Sequence, residues 1–217
     1  NEGIVEIMGI SRDPGGRTKI AVSSGDSDID AVGACVGMRG SRVQNIIQEL
    51  KGEKIDIVPW SPDPARFSCN ALSPARVNKV ILDESSKIME VIVDEDQYSL
   101  CIGRRGQNVR LASELTQWEI TVKTDIQLKE EQQSVVKLLL TLPNISEVNA
   151  NLLFAGGFHT LEDIAFGEIE SISKSSGITS EEDIGKIQLA ARNALKDRLR
   201  NIEIDNDGES EQEEVEE

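Results

Sequence analysis

Apolar and polar residues alternate in short runs through the first half of the chain and recur at helical spacing in the second. Residues 4 to 10 (IVEIMGI) alternate loosely as a strand, Asp13, Pro14, Gly15 and Gly16 make a turn, and Lys19 to Ser23 return, which predicts a hairpin. Gly25 to Asp30 reads as loop, with Asp28 or Asp30 placed to cap a short helix to Val36. Val43, Ile46, Ile47 and Leu50 then fall at helical spacing, and Ile55 to Val58 alternates as a strand. Strand, strand, helix, helix, strand is a half-layer that buries one sheet face under two helices. Pro59, Pro62 and Pro64 stand within six residues, which predicts a stiff extended connector. Beyond it the pattern recurs: Pro74 after Ser73 reads as the first position of a helix over 75–83, Ile88 to Asp94 as a strand, Val109, Ala112 and Leu115 as a helix, and Ile120 to Val122 as a strand.

Within each copy lies one eight-residue stretch, Gly33 to Gly40 (GACVGMRG) and Ser99 to Gly106 (SLCIGRRG). Both hold a cysteine, a β-branched residue and Gly-x-Arg-Gly between helix patterns, which is self-similarity of structure. A helix starting just after such a loop turns unpaired N–H groups and the positive end of its dipole toward the loop. That is a place for a phosphate. Gly37 and Gly40 let a sugar-phosphate backbone come close, Arg39 adds a charge-assisted donor, and the second copy offers two such donors, Arg104 and Arg105. The arrangement resembles the Gly-x-x-Gly clamp of the KH module, which holds about four nucleotides of single-stranded nucleic acid. The bland alternative, two tight turns with glycines at helix ends, leaves the arginine in both loops unexplained.

Total charge argues against nucleic acid, since the 217 residues carry a net charge of −16. It is unevenly placed: residues 1–125 hold 15 basic and 19 acidic residues, against 8 and 20 in 126–217. A local basic stripe at Arg39, Arg42, Arg104, Arg105 and Arg110 survives that balance. Cys35, Cys69 and Cys101 are too far apart for a zinc site and odd in number, so they read as small buried hydrophobes in a reducing compartment. His159 is the only histidine, and there is no GxxxxGK[ST] loop, so neither catalysis nor a cofactor or metal is expected. No apolar run approaches the roughly 20 residues of a membrane span. The chain opens on Asn1 without a methionine or a signal-peptide pattern, and reads as a fragment or processed product.

The runs Gly52 to Val58 (GEKIDIV), Trp60 to Ala65 (WSPDPA), Asn70 to Ala75 (NALSPA) and Ser99 to Ser113 (SLCIGRRGQNVRLAS) resemble the tandem KH region of the NusA family of bacterial transcription factors. The resemblance covers roughly residues 1 to 125. It implies a cytoplasmic, non-enzymatic monomer that binds nascent single-stranded RNA, works with RNA polymerase and transcription termination and antitermination factors, and influences pausing, termination and antitermination. It also implies polymerase-binding and S1 domains ahead of the KH pair, neither of which lies in this sequence.

The segment 130–202 follows a different pattern. Val135, Val136, Leu138, Leu139 and Leu142, then Val148, Ala150, Leu152 and Leu153, are helical in period, broken at Pro143 and at Gly156 and Gly157. Thr160 and Ser180 each have an aspartate three residues on, a loose capping box. This resembles the acidic helix-hairpin-helix repeats that follow the KH pair in some NusA proteins, but Asn144-Ile145-Ser146 and Gly177-Ile178-Thr179 keep one of the four turn glycines of DNA-binding hairpins. A protein-binding module is therefore expected. Residues 205–217 hold eight acids and no base, and self-repulsion predicts disorder there.

The reading is an α+β (α/β) chain: two type II KH domains at 1–64 and 65–125, an all-α helix-hairpin-helix-like domain at 130–202, and a disordered acidic tail at 203–217. The expected RNA contacts are Gly37, Met38, Arg39, Gly40, Ser41 and Arg42 in the first copy and Gly103, Arg104, Arg105, Gly106, Gln107, Asn108 and Arg110 in the second. Bases would be read by strands 55–58 and 120–123. A protein-interaction adaptor working through the acidic helices, and a KH protein of another RNA pathway, are the alternatives.

Overall fold

The computed structural model describes the backbone of residues 4–213 and the side chains of residues 4–200. It divides into two compact units, residues 1–128 and 129–217.

In the first unit, β1 (Val5–Asp13) and β2 (Arg17–Ser24) form an antiparallel hairpin with a bulge between Ile7 and Gly9. After α1 (Ala31–Val36) and α2 (Ser41–Glu49), β3 (Lys54–Pro59) joins β2 in parallel. The second copy begins with α3 (Pro64–Ala71), followed by β4 (Lys79–Asp83), β5 (Ile88–Val93), α4 (Glu95–Ile102), α5 (Gln107–Thr116) and β6 (Glu119–Thr124). Again the first pair of strands is antiparallel and the second parallel. A parallel pair needs a crossover, and in each copy the helix pair supplies it. The turn between those helices therefore stands at the same place on both sheets.

Two expectations are corrected at the junction. The helix read over 75–83 is absent: Ser73–Pro74 is a cis peptide, and residues 79–83 are strand β4. Val80, Ile81 and Leu82 suit a pleated sheet, and β4 pairs through them with Val91, Glu90 and Met89 of β5. A helix lies earlier instead, starting at Pro64, the last residue of the segment read as a stiff connector. Pro64 opens α3, where a proline costs nothing because its absent N–H would be unpaired anyway, and Asp63 caps the turn by accepting from the Ala65 amide at 3.0 Å.

The division at residue 64 separates two repeats but not two bodies. Ala21 and Val58 of the first sheet lie in one buried cluster with Phe67, Leu72, Met89, Val91, Cys101 and Leu115 of the second copy. By contrast α1 and α2 bury no residue fully, and Ile46 stays 47% exposed. The first copy thus depends on the second for much of its hydrophobic stabilisation, about 1.5–3 kcal/mol for each large apolar side chain fully buried.

The face of β2 and β3 turned to that shared core also carries charge. Lys19 is fully buried, with its ammonium 3.0 Å from Asp56, whose carboxylate also accepts two bonds from Arg17 at 2.6 and 2.9 Å. Burial pushes the Lys19 ammonium toward its neutral form, against the pull of Asp56. Burial likewise pushes the Asp56 carboxyl up, but the Arg17 hydrogen bonds and the Lys19 charge outweigh it and hold it low. Of the cysteines, Cys101 is buried and its thiol is pushed up to about 11 by that burial, while Cys35 and Cys69 are half-buried.

The second unit begins within α6 (Asp125–Leu139) and continues through α7 (Glu147–Ala155), α8 (Leu161–Phe166), α9 (Ile169–Ser176) and α10 (Glu181–Glu213). Helices α7, α8 and α9 are too short to persist alone. They are held by a core that includes Leu139, Leu153, Leu161, Ile164, Ile172, Ile184 and Ile187. Thr160 and Asp163 close a reciprocal capping box on α8, and Ser146 and Asn149 close another on α7. The α10 backbone runs on to Glu213 as helix, through most of the segment read as a disordered tail; once α10 is anchored by packing, each added residue gains a backbone bond without a new nucleus. Residues 214–217 of that tail lie outside the described residues.

Candidate nucleic-acid interface

The two Gly-x-Arg-Gly loops are the same structure. Each is a single 3-10 turn, Met38–Gly40 or Arg104–Gly106, set between two helices. The backbone torsion φ runs 75° at Gly37 and 75° at Gly103, 52° at Arg39 and 55° at Arg105, 79° at Gly40 and 73° at Gly106. The amides of Gly40 and Gly106 each donate to the carbonyl three residues back, at 3.1 Å. No side chain caps α2 or α5, because the residue at each cap is a glycine. The positive ends of both helix dipoles therefore face the loop without an internal anion bonded to the first turn's cap.

At Gly103 the requirement for glycine is steric as well as conformational. A Cβ there would stand 2.7 Å from the Asn108 Cβ and 2.8 Å from the Asn108 nitrogen. The loop closes directly over the first turn of α5, and any side chain would prise it open.

The expected contact residues divide by where they point. Met38 is 89% exposed, and Arg39, Ser41, Arg104 and Arg105 are exposed, with no side-chain ion pair among the described residues for any of the three arginines. Arg42 is exposed too, but its guanidinium donates to the Ala34 carbonyl and ties α2 back to α1. Asn108, at the back of the cleft in front of the second loop, is buried, and its amide nitrogen donates to the carbonyls of Leu72 at 3.1 Å and Cys101 at 3.0 Å. It pins the end of α4, just before Gly103, to the segment after α3. Gln107 and Arg110 point across to the first copy, where both donate to Asp13.

Asp13, Arg17 and Lys54 carry no signal in the sequence reading beyond a turn and a strand. In the fold they line, with Gly103, Arg104, Arg105 and Arg110, a cleft of about 560 Å³ in front of the second loop. Its position is fixed by Glu53, which is buried beneath the hairpin turn. Glu53 accepts from Arg12 at 2.8 and 2.9 Å, from the Gly15 amide at 2.9 Å and from the Thr18 hydroxyl. The Arg12 hydrogen bonds first, then those of Thr18 and Gly15, hold the Glu53 carboxyl at about 2. His159 stacks on Phe154 at 4.6 Å in the helical unit. Among the described residues no cluster of His, Cys, Asp or Glu is placed to hold a metal ion, and no helix is long and apolar enough to cross a membrane.

Comparison with known proteins identifies the two copies. Residues 1–60 match the family model of the NusA-like first KH domain, and residues 64–130 that of the NusA-like second KH domain. Over 187 residues the chain is 44% identical to the transcription termination/antitermination protein NusA of Rickettsia prowazekii (strain Madrid E), and equally to that of Rickettsia conorii (strain ATCC VR-613 / Malish 7). Each match takes in 83% of this chain and 37% of the relative, so the chain spans little more than a third of the length of these relatives. Among solved structures, that of APE1850 overlays at 24% identity with a TM-score of 0.39, covering 49% of this chain and 78% of that one. With both KH models matched in order over residues 1–130, the chain belongs to the NusA family.

Proposed function

We propose that this chain is the RNA-holding part of a transcription termination and antitermination factor. It holds single-stranded RNA by clamping phosphates at Gly37–Ser41 and Gly103–Gln107, and through that hold acts on polymerase pausing. The observation that carries the reading is the pair of loops with matching backbone torsions, each with an uncapped helix start, and the loop arginines Arg39, Arg104 and Arg105, none of which has an ion pair among the described residues. At about four nucleotides for each KH module, the two together suit a track of about eight. The cleft in front of the second loop, lined by residues of both copies, supports a path for RNA at that loop. Strands β3 and β6 stand beside the loops as the walls against which bases are read.

For protein partners, polymerase and antitermination factors among them, the proposal assigns the acidic helical unit. Its acidic balance and the exposed apolar side chains of Val148, Phe166 and Leu189 support that assignment.

The test is equilibrium binding of a labelled single-stranded RNA of about a dozen nucleotides at several salt concentrations. The intact chain is compared with a folded variant carrying Met38→Asp, Arg39→Asp, Arg104→Asp and Arg105→Asp. The proposal expects lost affinity and a salt slope shallower by about 0.7 for each phosphate contact removed. Equal binding by the two proteins rejects the clamp.

A further inference from the structure

The second loop carries something the first does not. Asp13, at the end of β1, reaches into the basic cleft and accepts hydrogen bonds from Gln107 Nε2 at 2.6 Å and Arg110 Nη2 at 3.2 Å, both through the same oxygen. The approach is close: a Cβ on Gly16 would stand 2.8 Å from that Gln107 nitrogen. Among the described residues Asp13 is the one acid lining a cleft whose other charged residues are Arg17, Lys54, Arg104, Arg105 and Arg110. The donors it engages lie on the first turn of α5, where the helix dipole is positive.

A carboxylate there meets the same donors, in the same field, as a phosphate oxygen of RNA. We propose that Asp13 is an acidic latch on the second loop, an internal stand-in for an RNA phosphate that RNA must displace in order to engage Gln107 and Arg110. The inference rests on the RNA-binding reading above.

Exposure separates a latch from a structural bridge. Glu53, which fixes the hairpin, has 1% of its side chain exposed, whereas Asp13 and Arg110 keep 38% and 53%. Water and phosphate reach the Asp13 pair, and an exposed pair is weak enough to exchange. The first loop offers a comparison within the same molecule. There Ser41 and Gln44 stand where Gln107 and Arg110 stand in the second, and among the described residues no carboxylate is hydrogen-bonded to either side chain. RNA therefore meets an open first loop and a latched second one, so the second engages only when the RNA offers a phosphate that outcompetes Asp13.

The test uses the intact chain, Asp13→Asn, Glu114→Gln and the four-residue loop variant, each titrated with the same RNA at a temperature where circular dichroism shows all to be folded. Asparagine still accepts from Gln107 but no longer neutralises Arg110. Glu114 is the control, a carboxylate that also joins the two copies, accepting from Ser11 Oγ at 2.7 Å, but outside the cleft. The latch predicts that Asp13→Asn tightens binding about twofold to fivefold near 50 mM salt, the size of an exposed ion pair that no longer has to be broken. It also predicts a steeper salt dependence, because salt loosens the latch in the intact chain and so offsets part of its effect on RNA. Glu114→Gln leaves both unchanged.

Unchanged or weaker binding by Asp13→Asn, with the loop variant still defective, overturns the latch and leaves the clamp standing. Equal gains from Asp13→Asn and Glu114→Gln also overturn it, assigning the effect to net charge. Absence of RNA binding by both the intact chain and Asp13→Asn overturns the latch together with the reading it rests on.

Discussion

Asn108→Ala separates support of the second loop from contact with RNA. Asn108 follows the second loop by two residues and has the chemistry of an RNA ligand, yet its side chain is buried and bonded to the carbonyls of Leu72 and Cys101. Removing the amide deletes two hydrogen bonds, each contributing about 0.5–1.5 kcal/mol. The Leu72 carbonyl keeps a second donor, the Ala75 amide at 3.2 Å, which lowers its share. Losing the Asn108 Oδ1, which is buried without a hydrogen bond, offsets a further part, while the cavity left behind adds to the cost. The balance is a destabilisation of about 2 kcal/mol, or roughly 6–10 °C in the melting midpoint of a unit this size. Thermal unfolding followed by circular dichroism reads that shift, and RNA titration well below the midpoint reads the other half. The variant should bind RNA far better than the four-residue loop variant. A variant that melts like the intact chain but has lost RNA would refute the reasoning, because it would make Asn108 a ligand after all.

Two further predictions concern the charges that position the cleft. Glu53 has its carboxyl held at about 2, below its unfolded value, so the stability it contributes is present above about pH 4.5 and is lost as the pH falls toward 2. Melting midpoints measured across that range should fall more steeply for the intact chain than for Glu53→Gln; parallel curves would show that Glu53 is not the linked group. For the buried ion pair, Asp56→Asn leaves the Lys19 ammonium without its acid and should cost about 3 kcal/mol, while Lys19→Met, which fills the same space without charge, should be neutral or stabilising. Chemical denaturation of the two variants decides it, and a larger loss in Lys19→Met would contradict the account.

The sequence was most readable where local chemistry is repeated. The glycines and arginines of the two loops carry their geometry with them, because positive φ and a helix start are local properties, and both copies adopt the turn expected. Reading failed where a local signal has two meanings. Pro64 reads as part of a stiff connector and Pro74 as a helix-opening proline; the structure reverses the two, with Pro64 opening α3 under the Asp63 cap and the segment after Pro74 running into β4, and only the strand partners of Val80 to Leu82 decide between the two meanings. What was not legible at all is contact across the repeat. Nothing near Asp13 announces that it meets Gln107 and Arg110 about ninety positions away, and nothing near Asn108 says that the segment after α3 will bury it. Those relations depend on the first sheet sharing its core with the second copy, which is a property of packing and not of pattern.

The central claim is that both Gly-x-Arg-Gly loops hold RNA, and backbone amide NMR of the 15N-labelled chain during titration with a single-stranded RNA of about a dozen nucleotides tests it most directly. The account predicts shifts concentrated at Gly37–Ser41 and Gly103–Gln107, spreading to the hairpin turn at residues 13–17 as the cleft fills. Shifts confined to the helical unit beyond Leu128, or to only one of the two loops, would contradict it.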